Sequence, residues 1–160
     1  MYQHIMVPLD GSELAECVLS HVEMIANDCR LPPRITLIRV VAPLKSYSGS
    51  DYGGLTASLG AEQMERLEDE NIKSAKDYLT KKVGQLKTKG INTEGEVIMG
   101  IVPGALEVFA ERNNVDLIII ATHGRSGISR WVWGSVADKI LRTAKIPVLM
   151  VRPQGWGGAG

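Results

Sequence analysis

Apolar residues follow two rhythms along this chain: short unbroken runs, and longer stretches in which they recur every three or four positions. The runs are His4 to Leu9, Ile35 to Val41, Glu94 to Met99, Asp116 to Thr122 and Pro147 to Val151. In the fourth, Leu117, Ile118, Ile119 and Ile120 are consecutive, with no polar residue between them. Short, β-branched runs without polar alternation are how strands covered on both faces look. Pro8 fits only near the end of the first strand, where its missing N–H costs no ladder bond.

The helical rhythm falls between the runs. Ser12 reads as the N-cap of a helix with Leu14, Val18, Val22 and Ile25 along one side, ending near Asn27 before Pro32-Pro33. A long helix from about Leu59 to Lys89 aligns Met64, Leu67, Ile72, Ala75, Leu79, Val83 and Leu86, and Gly90 closes it. Pro103 fits the first helical position ahead of Leu106, Phe109 and Ala110, and Asn113-Asn114 ends that helix. A last helix spans Val136 to about Thr143. Strand and helix alternate with no repeat and no hairpin signal, so the predicted class is α/β: a parallel sheet with helices on both faces. Such sheets bind ligands beyond the carboxyl ends of their strands, where the winding reverses. Ala42 to Ser58 has no periodicity and reads as a mobile loop able to act as a lid.

Composition narrows the picture. The 160 residues suit one domain, covering 1–152, with a glycine-rich tail at 153–160. Eighteen basic and eighteen acidic side chains cancel, which leaves no electrostatic footprint for nucleic acid or an anionic membrane. No apolar run approaches the roughly 20 residues of a membrane span, and the N-terminus lacks a basic flank with an apolar core. The expectation is a cytoplasmic protein. Cys17 and Cys29 lack CxxC spacing or a histidine cluster and read as ordinary thiols.

Candidate chemistry concentrates in the stretch from Ala121 to Ser135. The fourth strand ends there in small and polar residues, with Gly124 and Gly127 free to take angles closed to others. Ser135 to Asp138 fits the capping-box pattern ahead of the last helix. A loop that ends in the free N–H groups of a helix start favours an anion, and Arg125 and Arg130 add charge beside it. Two readings stand at this level: a phosphate cradle, or an ordinary strand-to-helix connection. Trp131 and Trp133 read as packing or subunit-contact residues, because there is no basic groove to make them a base-stacking platform. The first strand-to-helix turn, Asp10-Gly11-Ser12-Glu13, lacks the G-x-G-x-x-G fingerprint, which demotes NAD and FAD. No Gly-Lys-Ser or Gly-Lys-Thr occurs, so the chain is not a P-loop NTPase.

The motifs together resemble the universal stress protein family. Its ATP-binding members carry a G-x-x-G-x9-G-[ST] motif after the fourth strand; here Ala121, Gly124, Gly134 and Ser135 match, with nine residues between the two glycines. The opening Ile5 to Ser12, the turn Gly100 to Pro103, Asp116 to Ile120 and Ile146 to Arg152 extend the similarity over 1–152. The resemblance implies a flavodoxin-like three-layer sandwich with a five-stranded parallel sheet in the order 3-2-1-4-5, and ATP in the crevice between strands one and four. It assigns Pro8, Leu9 and Asp10 to the adenosine part, Val40 to the adenine edge, and Ile120 and Ala121 to the fourth-strand end. Gly124, Gly134, Ser135 and Val136 match its phosphate contacts, and Arg125 joins them on charge alone. The resemblance also implies a homodimer through the last strand, Pro147 to Val151, an apolar sheet edge open to pairing. A Mg2+ or Mn2+ ion would bridge phosphate oxygens rather than sit in a protein cage.

One departure is Ala121 at the first motif glycine. If that position needs a positive φ, alanine carries a penalty of about 1 kcal/mol; if it needs only close ligand approach, one methyl is tolerated. Asp10, His123 and Asp138 form no recognisable catalytic constellation, and Ser126 and Ser129 have no sequence-evident histidine partner, so at most weak ATP hydrolysis is expected. Three functions follow: an ATP-binding sensor or switch in a stress response, with an unnamed protein partner; a dimeric scaffold with an empty cradle; and a slow ATPase.

Overall fold

The computed structural model describes residues 2–44, 60–122 and 134–152. Gly124, Arg125, Arg130, Trp131 and Trp133, most of the proposed lid and the glycine-rich tail lie outside the described residues.

Five parallel strands carry the molecule: β1 (His4–Pro8), β2 (Arg34–Val41), β3 (Thr93–Met99), β4 (Leu117–Ala121) and β5 (Val148–Val151). Their order is β3-β2-β1-β4-β5. β1 is central: Ile5 pairs with Ile35 of β2 on one side and with Leu117 of β4 on the other. The chain therefore winds outward from β1 in one direction, returns, and winds outward through β4 in the other. The reversal falls between the carboxyl ends of β1 and β4, the crevice where open α/β sheets take ligands.

The helices are α1 (Glu13–Glu16), α2 (Val18–Asp28), α3 (Ala61–Lys87), α4 (Gly104–Arg112) and α5 (Ser135–Thr143). Strand alternation divides the core in two. Ile5, Val7, Leu37 and Ile119 face α1, α2 and α3, packing on Val18, Val22, Leu79 and Leu86. Met6, Ile38, Ile118 and Ile120 face the opposite way, onto Leu106 and Ala110 of α4 and Ala137 and Ile140 of α5. Each fully buried Ile, Leu or Val contributes about 1.5–3 kcal/mol, so both faces hold the sheet rigid under the crevice.

Three boundaries differ from the sequence reading. The helix expected from Ser12 to Asn27 is two segments, because the Cys17 N–H turns back to the Leu14 carbonyl at 3.4 Å in a tightened turn. Ser12 caps α1 as expected: its Oγ accepts from the Ala15 N–H at 3.1 Å. Pro103 stands one place before α4 rather than inside it. Ser135 is the first helical residue of α5 and Gly134 holds the cap position, so no side-chain capping box forms. Asp138, expected to complete that box, pairs with Arg142 one turn on instead, its Oδ2 accepting from Nε at 3.0 Å.

Candidate nucleotide site

A cavity of about 260 Å³ opens at the crevice. Nine of the residues expected at a nucleotide site line it: Pro8, Leu9 and Asp10 after β1, Val40 on β2, Ile120 and Ala121 on β4, and Gly134, Ser135 and Val136 at the start of α5. They come from four separate stretches of chain, and the pairing of β1 with β4 brings them together. Gly124 and Arg125 lie outside the described residues. Sequence reasoning missed Ala15, Ile38, Val102, Leu106 and Ala137. Ile38 was within reach, two places before Val40 on the same strand face. Leu106 and Val102 were not, because their place depends on where α4 packs across the sheet.

The described walls are mostly apolar. Asp10 is shaped by its own turn: Oδ1 accepts from the Ser12 N–H at 2.9 Å and from Ser12 Oγ at 2.6 Å. Ser12 thus donates its hydroxyl proton to Asp10 and keeps a lone pair for the cap of α1. That exchange ties the acid to the helix start and limits its freedom to swing.

Opposite, α5 begins at the cavity wall. Its first bond of the i→i−4 kind among the described residues is Asp138 N–H to the Gly134 carbonyl at 2.9 Å. The N–H groups of Ser135, Val136 and Ala137 precede that bond, and among the described residues no side chain caps them. Uncapped donors at the positive end of a helix suit an anionic group. The Gly134 N–H is committed elsewhere, donating to the Thr122 carbonyl at 2.7 Å.

Ala121 is a regular strand residue, in register with Val151 of β5. Among the described non-glycine residues only Asn114 has a positive φ, at 52°. Alanine at the first motif position therefore carries no left-handed strain, and its one effect on the site is a methyl in the wall. Burial pushes the Cys17 thiol above its ordinary range, which leaves it less of a nucleophile. No cluster of three or more His, Cys, Asp or Glu side chains that could hold a metal occurs among the described residues. Among the described residues that line the cavity, Asp10 alone is acidic. Among the described residues no helix is long and apolar enough to cross a membrane.

The family model described as "Universal stress protein family" matches residues 1–152, and the chain belongs to that family. Universal stress protein MJ0531 of Methanocaldococcus jannaschii is 28% identical over 153 residues, covering 95% of this chain and 83% of that protein. Among solved structures, MJ0577 superposes with a TM-score of 0.78 at 24% identity, covering 96% of this chain and 98% of that one. A universal stress protein in complex with cAMP has a TM-score of 0.62 at 20% identity, covering 94% of this chain and 97% of that one. A family protein from Arabidopsis thaliana with AMP bound has a TM-score of 0.62 at 16% identity, covering 98% and 99%.

Proposed function

We propose that the cavity between β1 and β4 binds an adenine nucleotide, ATP, and that the protein works as a nucleotide-dependent sensor or switch in a stress response. The observation that carries this reading is the convergence of Asp10, Ala121, Gly134 and Ser135 on one cavity with uncapped helix donors in its wall. The adenine would lie against the apolar side, near Ile38 and Val40. The phosphates would meet the start of α5, with Gly124 and Arg125 following from the family motif, and Mg2+ or Mn2+ bridging phosphate oxygens. The cAMP and AMP complexes of related proteins support an adenine nucleotide as the ligand class. Occupancy changes what a partner sees by selecting one arrangement of the crevice.

The same proposal includes a homodimer through β5. That strand is the sheet edge beyond β4, and Val148, Leu149 and Met150 on it are only half-buried. Pairing with a second copy would cover them. Mass spectrometry of small molecules released from the purified, denatured protein tests the ligand, with an adenine nucleotide expected near one per chain. Its absence, with no binding of added ATP, would favour a second reading, a dimeric scaffold without nucleotide. One observation supports that reading: the Ala121 methyl stands in the cavity wall where the family motif has glycine.

A further inference from the structure

We infer that Arg39 is a positioning residue for this site: from behind the sheet it holds the Asp10-Gly11-Ser12 turn in the shape that presents Asp10 to the cavity. The inference rests on the nucleotide reading above and adds to it a control point outside the cavity. Arg39 lies between Ile38 and Val40 on β2, both of which line the cavity. Strand alternation sends its side chain to the opposite face, under α3.

There the guanidinium does two things. Its carbon lies 5.6 Å from the centroid of the Tyr78 ring on α3, within cation–π range. Its Nη1 also presses on the turn: a methyl built at Gly11 would stand 2.2 Å from it. Gly11 has φ +80°, so the position excludes other residues by angle as well as by space.

Tyr78 is itself anchored. Its hydroxyl donates to Glu16 of α1 at 3.0 Å, and Lys82 Nζ donates to the other Glu16 oxygen at 2.6 Å. Lys82 also lies 5.7 Å from the centroid of the same ring. The links run from α3 through Glu16 to α1, and through Arg39 to the turn that leads into α1. From the cavity side the turn is fixed by the two bonds from Ser12 to Asp10; from behind, by the Arg39 guanidinium packed against Gly11. Burial raises the Tyr78 phenol first, the Glu16 bond and charge add to it, Arg39 opposes and Asp10 adds a little, so the carboxylates and the cation act in one electrostatic cluster. Lysine cannot replace this: it has one nitrogen on a flexible stem, whereas the guanidinium keeps its carbon near the ring and a separate nitrogen at the turn.

The test uses the full chain with ATP as probe, and compares wild type, Arg39→Ala, Arg39→Lys and the control Lys89→Ala, whose ion pair with Glu23 lies elsewhere. Calorimetry is paired with amide hydrogen exchange at Gly11 and Ser12 in ligand-free protein. Arg39→Ala is expected to weaken ATP about tenfold, the scale on which support groups act. It should also speed exchange at the turn, with Arg39→Lys recovering only part of either effect and Lys89→Ala showing neither. Unchanged affinity and exchange in Arg39→Ala would overturn the inference. So would a loss of affinity that tracks melting temperature while exchange at the turn stays at the wild-type rate, which marks a staple between α3 and the sheet. If wild type binds no ATP, the nucleotide reading fails, and the exchange data alone decide whether Arg39 holds the turn.

Discussion

The amide of Gly134 donates to the carbonyl of Thr122 at 2.7 Å, so the chain leaves β4 and enters α5 at one point. That bond joins the two described residues that flank 123–133 in sequence. Gly134 has φ −52°, inside proline's range, so Gly134→Pro removes the donor without forcing this angle. We expect a loss of about 1 kcal/mol, read as a melting temperature lower by about 2–4 °C. ATP affinity should fall further than that stability change accounts for. Equal affinity in calorimetry would mean that closure at Thr122 is irrelevant to the site.

Restoring the family glycine at residue 121 separates the two roles weighed for it. Ala121 has no positive φ and is buried at 6% exposure in the strand. Ala121→Gly should therefore destabilise by about 1 kcal/mol, from strand entropy and the lost methyl. ATP affinity should change by less than about threefold, under 1 kcal/mol. A gain of a hundredfold would show that the methyl obstructs the ligand.

The phenol of Tyr78 is held protonated, raised by burial first and then by Glu16. In the unfolded chain it ionises near pH 10. A folded pKa above the unfolded one means that the folded state keeps the proton longer, so the stability it confers is complete below about pH 10 and declines as pH rises beyond it. Tyr78→Phe should make unfolding less steeply pH-dependent above pH 10 than in wild type. Ultraviolet titration should show a late-ionising phenol phase in wild type that is lost in the variant.

At the other end of β1, His4 is buried at 4% exposure, with Nε2 2.7 Å from Thr36 Oγ1 and Nδ1 2.9 Å from the Asn113 carbonyl. Thr36 donates in turn to Glu94 at 2.9 Å, so the tautomer that fits puts the ring proton on Nε2, which donates to Thr36, and leaves Nδ1 to accept from Arg34 Nη2 at 2.9 Å. His4→Leu takes away the donor to Thr36 Oγ1 and the acceptor of Arg34 Nη2, and should cost about 1–3 kcal/mol in denaturant unfolding. ATP affinity should stay within error, because His4 stands at the far end of the strand from Pro8.

The strands were readable because Ile5 to Val7 and Leu117 to Ile120 are buried on both faces and show nothing but apolar side chains. Their order was not: no local pattern states that Ile5 pairs with both Ile35 and Leu117, and the order 3-2-1-4-5 came from motif resemblance. Within the site, Asp10, Gly134 and Ser135 stand out because turns and helix starts have their own chemistry. Leu106 has none: an apolar helix residue looks the same in a core as in a cavity wall. The capping box at Ser135 was misplaced by one residue for a similar reason, since Asp138 finds Arg142 on its own helix and only the folded chain reveals that competition.

The central claim is that the β1–β4 crevice receives a nucleotide's phosphates on the first turn of α5. Calorimetric titration of the purified chain with ATP, repeated on Ser135→Glu, tests it most directly. The account predicts saturable binding near one nucleotide per chain in wild type, and none in the variant, where a carboxylate occupies the anion position while the melting temperature holds. Equal binding by both proteins, or no binding by wild type freed of any bound nucleotide, would contradict it.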